Sequence, residues 1–217
     1  GIPMLQMFSL TESSAAGTVL PNADALRKVG SAGIPIIHGG LKIADDDDNE
    51  VPVGEVGEIL LSGPHVMAGY WNNPEASIAA LRGGWLHTGD LGRVDEEGYL
   101  YVVDRKKDML ISGGLNVYPA EIERVLAGMP GIVEVAVIGV PHEKWGEAPA
   151  VVVFTGGAEV KAEDVLARCK AQLADFKLPR YFHVSPTPLP RNMSGKILKR
   201  ELKIELAHLP QTSQAIR

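Results

Sequence analysis

The sequence predicts an α+β protein in two parts, a β-rich stretch over residues 1–104 and a small α+β domain over residues 105–217. Three observations lead there. Up to residue 104 the apolar runs are short and bounded by Gly, Pro, Asn and Asp, as strands are. Beyond it, apolar residues at helical spacing alternate with strand-like runs, the pattern of helices on one side of a small antiparallel sheet. Between the two stands the basic segment Arg105-Lys106-Lys107, so the boundary is placed near residues 104–107.

In the first part "KVGSAGIPI", "LKIAD", "GEILLSG" and "GYLYVVD" read as strands. "ADDDDNEVPVGEVGE" is a polar connection. Four consecutive aspartates suggest a cation site, but calcium loops space their ligands and include an ordered glycine, so a solvated hairpin loop is the stronger reading. "NNPEASIAALRG" is a short helix with Pro74 near its start and Gly83 near its end. In the second part "YPAEIERVLAGMPG" is an amphipathic helix. Pro119 fits its first turn, Glu121 its positive end, and Ile122, Val125, Leu126 and Met129 make one face. "IVEVAVIGV", "PAVVVF" and "YFHVS" supply a three-stranded sheet. "AEDVLARCKAQLADF" is a second helix, and "ILKRELKIELAHL" a third, with Leu198, Leu202, Leu206 and Leu209 on one face.

Composition narrows the function. With 45% hydrophobic residues in 217, the chain can bury a real core. A net charge of −6 argues against a general nucleic-acid or membrane-surface binder. One cysteine, Cys169, excludes an internal disulfide framework and fits a reducing compartment, the cytoplasm. Its helix-face neighbours Val165 and Leu173 make it a small buried hydrophobe. No apolar run approaches a membrane span, and no charged-then-apolar segment opens the chain. It begins at "GIPMLQMF", already apolar and without an initiator methionine, as the middle of a domain would. The expectation is a piece of a longer protein.

Several residues could carry chemistry. "FSLTES" puts Thr11 and Glu12 after an apolar strand, where a hydroxyl and a carboxylate suit a phosphate-bound magnesium; the plain alternative is a helix cap and its acidic first turn. "GWLHTGDLG" sets Asp90 in a glycine-flanked turn, where a carboxylate offers two acceptors to neighbouring sugar hydroxyls; the plain alternative, stronger in isolation, is an ordinary turn aspartate. His87 is close by, but the six histidines show no metal spacing and receive no role. In "VDRKKDMLISGGLNVYP" the basic cluster and Gly113-Gly114 read either as a basic-tipped hairpin and a loop, or as a hinge and a close backbone approach. Lys196 follows Gly195 on a turn before the last helix, able to reach into a cleft, while Lys199 and Lys203 read as a solvated face.

In this order and spacing the pieces resemble the AMP-forming acyl-CoA synthetases of the adenylating superfamily. "FSLTES" is similar to the family's Tyr-Gly-x-Thr-Glu segment. "GEILLSGPHVMAGYWNNPEA" is similar to the next core stretch, "GWLHTGDLGRVDEEGYLYVVDRKKDMLISGGLNVYPAEIE" matches throughout, and "PRNMSGKILKREL" matches the terminal lysine motif. The resemblance implies that residues 1–104 are the barrel-like, C-terminal portion of a large AMP-binding domain, and residues 105–217 a mobile C-terminal lid. It implies a ligase using ATP, Mg2+ and coenzyme A, acting on fatty or aliphatic acids. Phe8 would stack on adenine, Thr11 would contact phosphate and Glu12 would hold magnesium. Asp90 would bind the ribose hydroxyls with help from Arg105. Lys107 would be the hinge, Gly113 and Gly114 would border the pantetheine tunnel, and Lys196 would be catalytic in adenylation and contact the nucleotide.

The sequence departs from the family at two places. Tyr-Gly is Phe8-Ser9, which loses a hydroxyl and backbone freedom. The phosphate loop ending in Pro-Lys-Gly is absent, which marks a fragment inactive alone, whose partners are the carboxylate, ATP, coenzyme A, the missing N-terminal portion and, as a homodimer, a second copy. Two other functions stay open: an adenylation domain loading a separate carrier protein, and a non-catalytic module binding nucleotide or coenzyme A.

Overall fold

A computed structural model describes residues 5–212 together with 215 and 216. The chain divides into two compact units, Gly1–Lys106 and Lys107–Arg217. The division falls after the 104/105 boundary because pairing with the first unit continues to its last residue. Arg105 is in register with Asp90, and the Lys106 N–H donates to the Gly89 carbonyl at 2.8 Å.

The first unit holds two antiparallel sheets. Strands β1 (Gln6–Phe8), β2 (Thr18–Leu20) and β3 (Ile34–Pro35) form one, in that order. Strands β4 (Gly40–Ala44), β5 (Gly57–Ser62), β6 (Leu86–Val94) and β7 (Leu100–Arg105) form the other, with helix α1 (Pro74–Ala80) between β5 and β6. A bridge between Gly33 and Leu100 ties the sheets together. Only glycine fits at Gly33: its φ is +91°, and an added Cβ would lie 1.9 Å from the Val19 carbonyl carbon. The core gathers Ile43, Ile59, Leu61, Leu86 and Leu100. Within "KVGSAGIPI" only Ile34–Pro35 is strand, because Gly30 and Gly33 turn the chain through left-handed φ. "LHTGDLG" is no turn but part of β6, bent at Gly89, whose φ is +70°.

The second unit begins with a hairpin of β8 (Leu110–Ser112) and β9 (Leu115–Val117), followed by α2 (Pro119–Leu126). Strands β10 (Glu134–His142) and β11 (Gly146–Phe154) come next, then α3 (Ala162–Lys170), β12 (Tyr181–Ser185), α4 (Lys199–Glu205) and α5 (Leu209–Thr212). The three long strands form the expected sheet, which the β8–β9 hairpin extends along β11. Two expectations need correcting. β12 runs parallel to β11, since α3 provides the crossover that a parallel neighbour requires. And helices cover both faces of the sheet. Val137, Val151 and Val153 pack with Ile122 and Leu126 of α2 and with Val165 and Cys169 of α3. Their strand neighbours Ala136, Ile138, Ala150 and Val152 face the other way, onto Leu202, Leu206 and Leu209 of α4 and α5. Two buried faces explain why these strands are unbroken apolar runs and do not alternate. The last helix is interrupted after Leu206: Pro210 has no N–H to give the Leu206 carbonyl four residues back and clashes with it.

Candidate functional site

Each unit carries its own set of the residues singled out above. In the first, Asp90 and Arg105 are register partners on β6 and β7. Arg105 Nε lies 3.7 Å from Asp90 Oδ1, with the carboxylate 18% exposed and the guanidinium side chain 44%. The Asp90 N–H donates to Thr88 Oγ1 at 3.1 Å, and that hydroxyl donates to the Ile59 carbonyl at 2.7 Å. Such a half-exposed pair adds little stability. What it provides is a carboxylate fixed on a strand beside a planar cation.

Behind this pair lies a polar cluster that the sequence analysis missed. Glu58 is buried within the apolar run of β5. It accepts the Gly89 N–H at 3.0 Å and Lys106 Nζ at 3.0 Å. Burial disfavours its charge, but Lys106 and the Gly89 amide outweigh that and hold the carboxyl below the usual range. The His87 side chain, 5% exposed, stands between Glu58 and Asp48, at 3.5 and 3.8 Å. The four-aspartate loop is the exposed β4–β5 hairpin connection expected, with Asp46 beside Lys106 at 2.7 Å and Asp48 beside Arg82 at 3.0 Å. A lone glutamate inside "GEILLSG" was the available signal, since an unpaired buried carboxylate is not tolerated.

Thr11–Ser13 is a single 3-10 turn after β1. Ser13, not Thr11, makes the capping contacts, with the Leu10 N–H donating to its hydroxyl at 3.2 Å. Thr11 is exposed and Glu12 half-buried. Glu12 Oε1 accepts the Tyr70 hydroxyl at 2.9 Å, which aims the carboxylate. Ser14 and Ala15 both hold left-handed φ, 52° and 58°, an uncommon strain in consecutive residues with side chains. Phe8 is half-buried and packs against the core. Among the described residues no three His, Cys, Asp or Glu gather as a metal cage. A hard cation beside Glu12 and Thr11 would therefore complete its shell with phosphate and water oxygens, as magnesium does.

In the second unit Lys107 is exposed in the turn before β8. The basic segment is not a hairpin tip, because β7 and β8 belong to different sheets. The hairpin is made instead by Gly113 and Gly114, whose φ values of 61° and 81° give the turn that matches strand twist. Crowding lies at Gly113, where an added Cβ would meet Trp145 Cε3 at 2.6 Å; at Gly114 nothing stands within 4 Å. The Trp145 ring is flanked by Lys144 and Arg180 at 4.8 and 5.1 Å, a basic and aromatic ledge that sequence alone did not reveal.

Lys196 is exposed on a tight turn. Asn192 Oδ1 accepts the Lys196 N–H at 2.9 Å, the Ser194 N–H at 3.1 Å and the Ser194 hydroxyl at 2.8 Å. Gly195 closes the turn with a φ of +81°. Arg191, at the turn's foot, pairs with Glu134 at 2.8 Å, and the Leu189 N–H donates to the same carboxylate at 2.7 Å. Lys199 is not a solvated residue: it pairs with Glu123 at 2.7 Å and is 15% exposed.

Comparison with known proteins follows the same division. The family model "AMP-binding enzyme" matches residues 1–71, and "AMP-binding enzyme C-terminal domain" matches residues 121–196. Feruloyl-CoA synthase of Amycolatopsis sp. is 46% identical over 204 residues, which are 94% of this chain and 41% of that protein. A long-chain-fatty-acid–CoA ligase of Mycobacterium tuberculosis is 47% identical over 202 residues, 93% of this chain and 40% of that one. The o-succinylbenzoate CoA synthetase of Bacillus subtilis, solved with its acyl-adenylate intermediate, aligns with a TM-score of 0.88 at 41% identity, covering 94% of this chain and 41% of its own. The chain thus spans about two fifths of the length of the relatives it matches. Family models on both of its units, and relatives similar along nearly its whole length, make the chain a member of the AMP-binding enzyme family, on the acyl-CoA synthetase branch.

Proposed function

We propose that the chain is part of an AMP-forming acid–thiol ligase: residues 1–104 close the AMP-binding domain and residues 105–217 form its mobile lid. The observation that carries this reading is the Asp90–Arg105 pair, a partly buried carboxylate held in register with a guanidinium. Asp90 accepts hydrogen bonds from neighbouring ribose hydroxyls, and Arg105 orients it. Glu12, aimed by Tyr70, would hold magnesium with Thr11 beside it, and magnesium there would supply neutralisation of phosphate charge. Phe8 borders the adenine.

Lys196 acts in the first half-reaction. A carboxylate oxygen attacks the α-phosphorus of ATP, the new P–O bond forms and the bond to pyrophosphate breaks. The ammonium offsets the charge that gathers on the oxygens between the two anions. In the second half-reaction the coenzyme A sulfur attacks the acyl carbonyl and AMP leaves with its electron pair. Lys107 is the pivot between the two steps. Gly113 and Gly114 border the pantetheine path, and the Trp145 ledge with Lys144 and Arg180 suits an anionic, thin ligand.

The test is ATP–pyrophosphate exchange on this chain and on the full-length protein, across short, medium and long aliphatic acids and aromatic acids. Fatty and aliphatic acids head the panel, with aromatic ones beside them because relatives of near-equal identity are named for both. Exchange in the full-length protein alone is the expected result, and the acid that supports it names the substrate. A folded full-length protein with no exchange on any acid would sink the ligase reading and favour a binding module.

A further inference from the structure

The ladder between β5 and β6 is interrupted beside Asp90. Glu58 pairs with Leu91 and Leu60 with His87, so residues 88–90 stand opposite Ile59 alone. Side chains tie this stretch to β5: the Thr88 hydroxyl donates to the Ile59 carbonyl at 2.7 Å, and Glu58 reaches across to Gly89. Its side chain is 6% exposed. A carboxylate so buried is tolerated only when paired. Its two oxygens serve different elements. Oε1 accepts the N–H of Gly89, the residue before Asp90, at 3.0 Å. Oε2 accepts Nζ of Lys106, the residue after Arg105, at 3.0 Å. The Lys106 N–H to Gly89 carbonyl bond, 2.8 Å, closes the ring.

We infer that Glu58 is a positioning residue for the nucleotide's ribose, gripping the neighbours of both Asp90 and Arg105 and so fixing that pair against β5. The inference rests on the ribose reading of Asp90. Asp46, the outer partner of Lys106, is 89% exposed and contributes little to the same effect.

The experiment is pyrophosphate exchange by the full-length protein with ATP, 2′-deoxyATP and 3′-deoxyATP. The variants are Glu58→Gln, Glu58→Ala, Asp46→Asn and, as a control, Asp90→Ala. A displacement near 1 Å can cost about 100-fold, and a loosened strand about tenfold. The expected result is a rise in KM for ATP of about tenfold in Glu58→Ala and about threefold in Glu58→Gln, with the carboxylate KM within about twofold. The penalty for removing a ribose hydroxyl shrinks in both, because the misplaced Asp90 no longer reads it. Asp46→Asn stays within about twofold. Equal losses for all three nucleotides and for both substrates would overturn the inference and leave Glu58 a scaffold residue, as would an unchanged deoxy penalty. An undiminished penalty in Asp90→Ala would instead overturn the ribose reading beneath it. The isosteric Gln variant carries the test should the Ala variant not fold.

Discussion

In the first unit Asp90 and Arg105 sit on strands, whereas in the second Lys107, Lys196 and the two glycines sit on turns. Asp90 and Arg105 are fixed by register, with a buried carboxylate behind them. Lys196 stands exposed, its turn held from within by one asparagine, and Gly113 and Gly114 are themselves a turn. The difference matches what each set is proposed to do. A ligand kept through both half-reactions needs an invariant cradle, which strands provide. A charge needed in one half-reaction needs reach. A narrow passage needs a backbone without side chains.

The comparison is tested most severely at Lys196. Replacing it with alanine is expected to slow acyl-adenylate formation by about 100- to 1,000-fold in the full-length protein, while thioester formation from preformed acyl-AMP holds its rate. Equal slowing of both steps would show that the turn residue is no more transient than the strand residues. Next comes Gly113→Ala. A left-handed alanine costs about 1–2 kcal/mol, and its Cβ would press on Trp145 at 2.6 Å. Thioester formation should fall by about tenfold or more, converted from that cost, with pyrophosphate exchange nearly unchanged. Asn192→Ala removes the acceptor of three hydrogen bonds. At an exposed turn these are worth about 0.5 kcal/mol each, so adenylation should drop about tenfold at most, measured as kcat at saturating ATP.

The smallest expected effect tests the core of the second unit. Burial pushes the Cys169 thiol up from 9.0 to about 11. The folded state therefore keeps its proton where the unfolded state loses it. Stability is flat below about pH 9 and declines as pH rises toward 11, and denaturant midpoints at pH 8 and 10.5 would register the fall. A thiol reagent at pH 8 should label Cys169 only on unfolding; fast labelling of the folded protein would mean this core opens more readily than the strand-built first unit.

The helices of the second unit were legible because their apolar faces repeat at helical spacing and Pro119 opens α2 at its first position. Strands β10 and β11 were legible as strands, but burial on both faces erases the alternation that tells which side a helix takes. The parallel seat of β12 was hidden for a different reason, since register with β11 is set across the intervening helix α3. Strand β6 was misread because Gly89, Gly92 and a polar stretch imitate a turn; a bulged strand and a turn share their composition. Asp90, Arg105 and Lys196 could be singled out as candidates through motif spacing. Glu58 was signalled only by being a lone carboxylate in an apolar run; its partners Gly89 and Lys106, 31 and 48 positions away, were not announced locally.

One anchor near the end of the chain sets what the terminal lysine can do. Glu134, the first residue of β10, holds both the Leu189 amide and the Arg191 guanidinium, and Leu202 and Leu206 bury the far side of the same segment in the sheet's core. The loop that bears Lys196 is therefore welded at both ends to the sheet, like a key cut into its own bow. It cannot swing aside by itself. Under the role proposed for Lys196, the loop's backbone would leave a reacting centre only together with the sheet and its covering helices, at the pace of a domain rather than of a loop.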